Sequence, residues 1–286
     1  MVGDQAGLPE RGLILFRKGR TDTLTDCPEF MSHHDIDAEQ EMDRLLAAGG
    51  TPPIEDDPFA FDDVRLSPER IVGLLRPHMR ERRLQRIRDV VAERTRTVVP
   101  VVEGLVNTGN VSAVMRSAEA LGHQDMHVVK GDNERYKHSQ RTAQGAQHWL
   151  DVWHWDTPRD CAAHLHDAGY RLVAMHLHSD TVPIRELDFT KPTALVFGNE
   201  EAGVSESMME AVDAACVVPL PGFTESFNVS VAAAVALYHA RQDRLDRQGR
   251  HADLGDEEQR RLTARFCLRS VNNAERIIQR KLREEE

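Results

Sequence analysis

The chain has 286 residues, 40% of them hydrophobic, and a formal net charge of −11, so it is long and apolar enough to bury a core. No apolar run approaches the roughly 20 residues of a membrane-spanning helix, and the amino terminus lacks the basic start and apolar run of a signal peptide. The cysteines are far apart and form no C-x-x-C pair, which argues against a disulfide framework and a metal site and predicts a cytoplasmic location: Cys27, Cys161, Cys216 and Cys267.

Residues 1–65 form an acidic stretch that contains 15 Asp or Glu and 6 Lys or Arg. The rest of the chain is therefore nearly neutral, and the negative total is weak evidence against a nucleic-acid partner. The stretch has no sustained periodicity, which predicts a loosely ordered extension with a short helix around residues 35–48 as its only candidate element. Two interpretations stay open: a solubilising tail, or an arm that binds a partner or mimics RNA.

Residues 66–96 are predicted to be helical and rich in arginine. Ser67 followed by Pro68 is typical of a helix start, and Pro77 should interrupt that helix. A second helix is predicted over residues 78–94, where apolar residues recur at helical spacing. Residues 76–96 hold eight arginines against three acids. This segment is either a solvated amphipathic helix or an arm that contacts RNA phosphates.

From residue 97 onward, short β-type runs alternate with helical patterns. The predicted strands are 97–103, 126–130, 171–176, 193–197 and 215–219. The predicted helices are 110–121, 158–168, 205–212 and an Ala/Val-rich helix over 228–248. This alternation predicts an α/β domain with a mostly parallel sheet. Residues 249–286 are predicted to form a C-terminal extension with one charged helix over 256–283, docked weakly by Leu262, Phe266 and Ile277.

The segment 104–122 combines a turn signal with an amphipathic helix. Its apolar residues cluster on one helical face, and Arg116 lies on the side away from that face. Asn110 is six residues earlier, roughly 9 Å along a helix axis, so both side chains could reach one extended ligand. The alternative is that Arg116 is an ordinary surface residue.

Two later segments are also candidates. Residues 194–205 place an apolar strand before a turn that contains Gly198, Glu200 and Gly203, where open α/β sheets bind ligands. Residues 217–235 place an irregular Pro-Leu-Pro-Gly stretch before Ser226, Asn228 and a helix of small residues. Taken singly, each segment also fits an ordinary turn or helix cap.

In this order, the three segments resemble the signature motifs of the SpoU/TrmH family of the SPOUT (α/β-knot) superfamily. The matching stretches run from Asn110 to Ser117, from Phe197 to Ser205 and from Pro219 to Ala234. The resemblance covers about residues 78–250. Residues 185–193, Gly145–Trp149 and the arginine-rich helix are most similar to the tRNA (guanosine-18-2′-O)-methyltransferase subgroup.

The resemblance implies a Rossmann-like, mostly parallel sheet with a deep C-terminal trefoil knot and flanking helices, and a methyltransferase domain over residues 97–248. It also implies S-adenosylmethionine as the cofactor, held largely by backbone groups in the knot. The contacts carried over by motif are Met175, Gly198, Val218, Leu220 and Phe227. The family more often has Leu where this chain has Phe227.

The implied reaction is transfer of a methyl group to a ribose 2′-hydroxyl of RNA. Arg116 would either take the hydroxyl proton, aided by a substrate phosphate, or orient that phosphate while a phosphate oxygen or water takes the proton; a guanidinium is a poor base because it stays protonated in proteins. Asn110 and Glu200 would orient Arg116 and the ribose, and Ser226 and Asn228 would shape the loop. The family implies a homodimer.

Three functions stay open at this point. The first is methylation of a tRNA guanosine, the second is methylation of ribosomal RNA by the same chemistry, and the third is a catalytically silent RNA-binding module. Residues 1–65 do not resemble the substrate-binding domain that many ribosomal-RNA relatives carry, and the arginine-rich helix favours tRNA. The presence of Asn110, Arg116, Glu200 and Ser226 argues against the silent module.

Overall fold

The computed structural model describes residues 59–61, 64–105, 107–130, 145–176 and 181–285. Most of the acidic extension, with its predicted helix at 35–48, lies outside these ranges. The described chain starts with two short antiparallel strands, β1 (Ala60–Phe61) and β2 (Val64–Arg65). Within the described ranges, no helix has the length and apolar character needed to cross a membrane.

A seven-stranded sheet forms the centre of the molecule. Its strands are β3 (Val98–Glu103), β4 (Asp125–Val129), β5 (Asp151–Trp155), β6 (Arg171–Met175), β7 (Val182–Pro183), β8 (Thr193–Phe197) and β9 (Ala214–Val217). They lie in the order β5-β4-β3-β8-β6-β9-β7, and every neighbouring pair is parallel. The predicted α/β class with a mostly parallel sheet is therefore confirmed. Strands β5 and β7 were not predicted.

Eight α-helices accompany the strands in the described part of the chain. They are α1 (Pro68–Leu75), α2 (Glu81–Ala92), α3 (Thr108–Ala120), α4 (Pro158–Asp167), α5 (Glu206–Met209), α6 (Val229–Gln248), α7 (Asp256–Ser270) and α8 (Ala274–Glu285). Ser67 caps α1 by accepting a hydrogen bond from the Arg70 amide, and a 3₁₀ turn at Arg76–His78 separates α1 from α2. The predicted start at Ser67 and the interruption at Pro77 are both confirmed.

Each face of the sheet is covered by helices that bury an apolar layer against it. One layer joins the sheet to α3 and α6 and includes Val98, Val102, Val114, Phe197 and Ala236. The opposite layer joins it to α4 and α5 and includes Val101, Cys161, Leu165, Val196 and Met208. Strands enclosed on both faces are continuously apolar, which is why the runs at β3 and β8 were recognisable in the sequence.

A separate core joins the first two helices to the last two. Leu84 and Ile87 of α2 are buried in the same cluster as Leu262 and Phe266 of α7, which are 2% and 1% exposed. The prediction of weak docking is therefore wrong, because full burial of each such side chain contributes about 1.5–3 kcal/mol to stability. The predicted single helix over 256–283 is also wrong. The helix is interrupted at residues 271–273, where Asn273 takes a positive φ of 56°.

Charged side chains form a network at the amino ends of the strands. Arg96 binds Asp125 and Asp151, with 2.8 Å between its Nη2 and an Asp151 oxygen. Arg265 of α7 donates to the same Asp151 carboxylate. Arg94, only 1% exposed, donates to the Glu119 carboxylate at 2.8 Å. Two arginines of the predicted RNA-contacting segment are thus committed to holding the molecule together.

Candidate active site

The segment 104–122, which contains the first motif, leads from β3 into α3. Asn107 caps the helix, because its Oδ1 accepts a hydrogen bond from the Gly109 amide at 2.9 Å. The predicted apolar face packs inward, with four residues buried: Val111, Val114, Met115 and Ala118. This orientation leaves Asn110 half-buried at the first turn, and Arg116 exposed on the same helix.

The second motif forms a tight turn after β8. Asn199 and Gly203 exchange two backbone hydrogen bonds of 2.8 and 2.9 Å, and Gly203 has a φ of +72°, which suits glycine. A Cβ on Gly198 would lie 2.2 Å from the Gly203 carbonyl carbon, so only glycine fits there. The two glycines therefore bring Glu200 back over the end of the strand.

Asn199 and Glu103 connect the segments of the first two motifs, and neither was predicted from the sequence as a site residue. The side-chain Nδ2 of Asn199 donates to the Gly104 carbonyl oxygen at 2.8 Å. Its Oδ1 accepts hydrogen bonds from two backbone amides of the turn. Glu103, 4% exposed, accepts from the Ser205 amide at 3.1 Å and from its hydroxyl. An acid at the end of an otherwise apolar strand was the available signal for Glu103.

The third motif meets the other two at Asn110. Asn228 caps α6 by accepting from the Ser230 amide at 3.0 Å, and its Nδ2 donates to Asn110 Oδ1 at 3.3 Å. The Asn110 Nδ2 in turn donates to a Glu200 carboxylate oxygen. Three of the residues selected from the sequence therefore form one hydrogen-bonded chain, Glu200–Asn110–Asn228.

Arg116 and Ser226 are not part of this chain. Both side chains are exposed, and neither forms a hydrogen bond or ion pair with the residues that the structure describes. Arg116 is six positions after Asn110 in the helix, about 9 Å along the axis. Residues 221–227, which include Ser226, make no hydrogen bond to the described parts of the chain, so their backbone groups are available to a ligand.

The residues selected for the cofactor lie at the ends of three adjacent strands. Met175 is the last residue of β6, and Gly198 follows β8 directly. Val218 and Leu220 follow β9 and are half-buried, and Phe227 is 42% exposed just before α6. Because β8, β6 and β9 are neighbours and parallel, these positions share one edge of the sheet. Parallel sheets bind ligands at this edge.

One reactive group near this edge can be excluded as a nucleophile. Burial raises the pKa of the Cys216 thiol on β9 to about 12. The thiol therefore stays protonated near neutral pH and cannot attack a methyl donor as a thiolate.

The sequence is similar to those of known proteins. The model of the SpoU rRNA Methylase family matches residues 97–238. The tRNA (guanosine(18)-2′-O)-methyltransferase of Aquifex aeolicus is 31% identical over 193 residues, which span 67% of this chain and 91% of that protein. The chain belongs to the SpoU methylase family. Its relative of the same description in Escherichia coli K12 is 33% identical over 166 residues, 58% of this chain and 72% of that protein.

A solved SpoU structure agrees with this assignment. The A. aeolicus TrmH/SpoU tRNA modifying enzyme superposes with a TM-score of 0.62 at 31% identity, covering 68% of this chain and 98% of that one. The matched region includes all three motifs and the sheet that carries them. The predicted family and the predicted class of enzyme, an S-adenosylmethionine-dependent RNA methyltransferase, are confirmed.

Proposed function

We propose that this SpoU methylase methylates the ribose 2′-hydroxyl of guanosine 18 in tRNA, in the cytoplasm, with residues 97–248 as its methyltransferase domain. The observation that carries the proposal is the hydrogen-bonded chain from Glu200 through Asn110 to Asn228, which joins three motifs distant in sequence. The two relatives described above act on this nucleotide. S-Adenosylmethionine would supply the methyl group as an electrophilic sulfonium methyl.

The cofactor fits the carboxyl edge of β8, β6 and β9. Half-buried apolar side chains of Met175, Val218 and Leu220 offer contacts for an adenine ring, and the backbone of residues 221–227 has free donors and acceptors. Gly198 is packed against the turn without space for a side chain, so its backbone would form part of the pocket wall. Phe227 would cover the adenine from the loop.

A deep trefoil knot in this region is part of the proposal. Strands β6 and β7 lie on opposite sides of β9, and both pair with it at Cys216, although only residues 176–181 separate them in sequence. A chain that passes between two such closely connected strands is the arrangement that a knot requires.

Arg116 is the proposed catalytic residue. Its exposed guanidinium has no ion-pair partner in the described chain, so it can bind an RNA phosphate in a bidentate fashion. The phosphate would hold the 2′-oxygen in line with the methyl group, and the hydroxyl proton would leave to a phosphate oxygen or water. Asn110 and Glu200 would position the ribose, and Ser226 and Asn228 would shape the loop beside it.

Incubation with labelled S-adenosylmethionine tests this function. We expect label to enter a tRNA transcript with guanosine at position 18, and not the same tRNA with 2′-deoxyguanosine there or ribosomal RNA. Nuclease mapping and mass spectrometry should find 2′-O-methylguanosine at that position. Label confined to ribosomal RNA would assign the alternative substrate. Binding of RNA without any transfer would contradict an enzymatic role.

Arg116→Ala should reduce kcat by at least a hundredfold, because the phosphate would lose its bidentate partner. Arg116→Lys should be nearly as defective, since an ammonium lacks the planar fork. Single-turnover assays with saturating cofactor would measure both. Arg159→Ala on the exposed surface of α4 is a matched control and should keep full activity. Near-normal transfer by Arg116→Ala would contradict the assignment.

A homodimer formed through α6 is also proposed. Val231, Val235 and Tyr238 recur at helical spacing and are 45%, 37% and 55% exposed, and Phe223 in the loop before α6 is fully exposed. Such an apolar stripe on a soluble helix indicates a partner surface. The basic helix α2 would lie outside this interface and contact the tRNA backbone.

Tyr238→Glu should convert a dimer into a monomer, because a buried carboxylate without a partner is costly. Sedimentation velocity at micromolar concentration would measure the change. Asp246→Lys, at an exposed polar position of the same helix, should leave the dimer intact. A wild-type protein that sediments as a monomer would contradict this part of the proposal.

A further inference from the structure

A cavity lies at the sheet edge opposite the three motifs. It has a volume of about 380 Å³, within the range of small-molecule sites. Arg96, which precedes β3, and Asp125, which begins β4, both line it, so the cavity is at the amino ends of the strands. The motifs follow the carboxyl ends. A five-residue strand is about 13 Å long, so the two sites are distinct.

Two aromatic residues of the sheet line this cavity. His127 and Trp153 are opposite each other in the register of β4 and β5, and their ring centroids are 5.5 Å apart with 11° between the planes. The Trp155 indole N–H donates to His127 Nδ1 at 3.0 Å. The neutral His127 ring must therefore carry its proton on Nε2.

His127 lines the cavity and provides a hydrogen-bond donor there. Burial lowers the pKa of His127 to about 3, so the ring is neutral near pH 7. The side chain is only 3% exposed, and its Nε2–H has no acceptor among the residues that the structure describes. This N–H is therefore available to an acceptor that enters the cavity.

Arg261 provides a positive charge at the same cavity. The other two lining arginines are neutralised: Arg96 by Asp125 and Glu258, and Arg265 by Asp151. Arg261 has no carboxylate partner in the described chain, and its guanidinium lies 5.3 Å from the centre of the Phe59 ring.

Aromatic faces complete the lining. The Trp153 indole N–H donates to Asp125 Oδ1 at 3.2 Å, and the Tyr170 hydroxyl donates to the Arg96 carbonyl oxygen at 2.7 Å. With their polar atoms already bound, both rings are fixed in place and can offer a ligand only apolar and π contacts.

We propose that this cavity binds a nucleotide. The base would pack against Trp153 and Tyr170 and accept a hydrogen bond from His127 Nε2, and the phosphate would bind Arg261. A free mononucleotide and a nucleotide within an RNA strand present the same chemistry to these groups. The proposal does not depend on the identity of the methylated RNA.

Titration of the full chain with GMP tests the proposal. Saturating S-adenosylhomocysteine would fill the proposed cofactor pocket during the titration. We expect saturable binding by calorimetry, with quenching of tryptophan fluorescence from Trp153. Guanosine and ribose 5-phosphate should each bind at least tenfold more weakly, because each lacks one half of the ligand. If a five-nucleotide RNA binds more tightly than GMP, the ligand of the cavity is a nucleotide within an RNA strand. If the RNA binds more weakly than GMP, the ligand is a free mononucleotide.

Arg261→Gln should weaken binding of GMP and of the RNA at least tenfold. Arg260→Gln is the matched control, because Arg260 is adjacent on α7, pairs with Glu69 and Glu257 and does not line the cavity. Unchanged affinity for S-adenosylhomocysteine would verify that the Arg261→Gln protein is folded. The proposal is overturned if neither ligand binds, if Arg261→Gln binds normally, or if inorganic phosphate binds as tightly as GMP.

Discussion

Single residues decide how closely the motif loops approach one another. Sequence motifs identified Asn110, Glu200 and Asn228, which the structure joins by hydrogen bonds. They did not identify Asn199 or Glu103, because a lone amide in a turn and an acid at a strand end have many ordinary roles. The hydrogen bonds that give these two residues their importance form only between segments distant in the chain.

Gly198→Ala should disrupt the second motif, since the new Cβ would collide with backbone atoms that cannot move aside. We expect at least a hundredfold loss of affinity for S-adenosylmethionine in calorimetry, and a lower melting temperature. Gly73→Ala is a useful control, because no atom lies within 4 Å of the added Cβ in α1. It should stabilise the protein by about 0.5–1 kcal/mol. Equal behaviour of the two variants would contradict the role given to Gly198.

Secondary-structure elements were predictable where their pattern was local. Apolar runs predicted five strands. Strand β5 has the sequence Asp-Val-Trp-His-Trp, which is not a continuous apolar run, and β7 has only two residues, so neither was predicted. The break between α7 and α8 has neither Gly nor Pro, and the pair Asn272-Asn273, a residue type that tolerates a positive φ, was the available signal. The packing of α7 on α2 depends on long-range contacts that periodicity does not contain.

The loop between α6 and α7 depends on Asp253. Its carboxylate accepts from Thr95 Oγ1 at 2.6 Å and from Arg244 Nη2 at 2.7 Å, and Arg244 is 1% exposed. Asp253→Ala should therefore destabilise the protein by about 3–5 kcal/mol in urea unfolding, because a buried guanidinium loses its counter-charge. Asp156→Ala removes a half-exposed partner of Lys130 and should cost less than about 1 kcal/mol. If both variants lose the same free energy of unfolding, the pairing of Asp253 with Arg244 does not stabilise the protein more than an exposed ion pair does.

Stability of the whole molecule should depend on pH through buried histidines. Burial lowers the pKa of His123 to about 4 and that of His251 to about 3, and the two rings are 5.1 Å apart beside Arg94 and Arg244. An unfolded histidine titrates near 6.5, so the unfolded chain binds protons first as the pH falls. The stabilisation from the neutral rings is complete above pH 6.5 and is lost progressively below it.

The free energy of unfolding should accordingly decrease from pH 7 to pH 5, on the order of 1 to 2 kcal/mol for each buried histidine. Urea unfolding at several pH values would measure this decrease. His251→Leu should make the dependence shallower, whereas replacement of the half-exposed His166 by Leu should not. A wild-type stability that is constant over this range would contradict the assignment.

The shared core of α1, α2, α7 and α8 has a consequence for biosynthesis. The first two helices leave the ribosome long before the last two, and until then Leu84 and Ile87 have no apolar partner on α7. The nascent chain must therefore expose an apolar surface of α1 and α2 to solvent until α7 and α8 have been synthesised. A chain truncated before α7 would be prone to aggregate, even with all three motifs present.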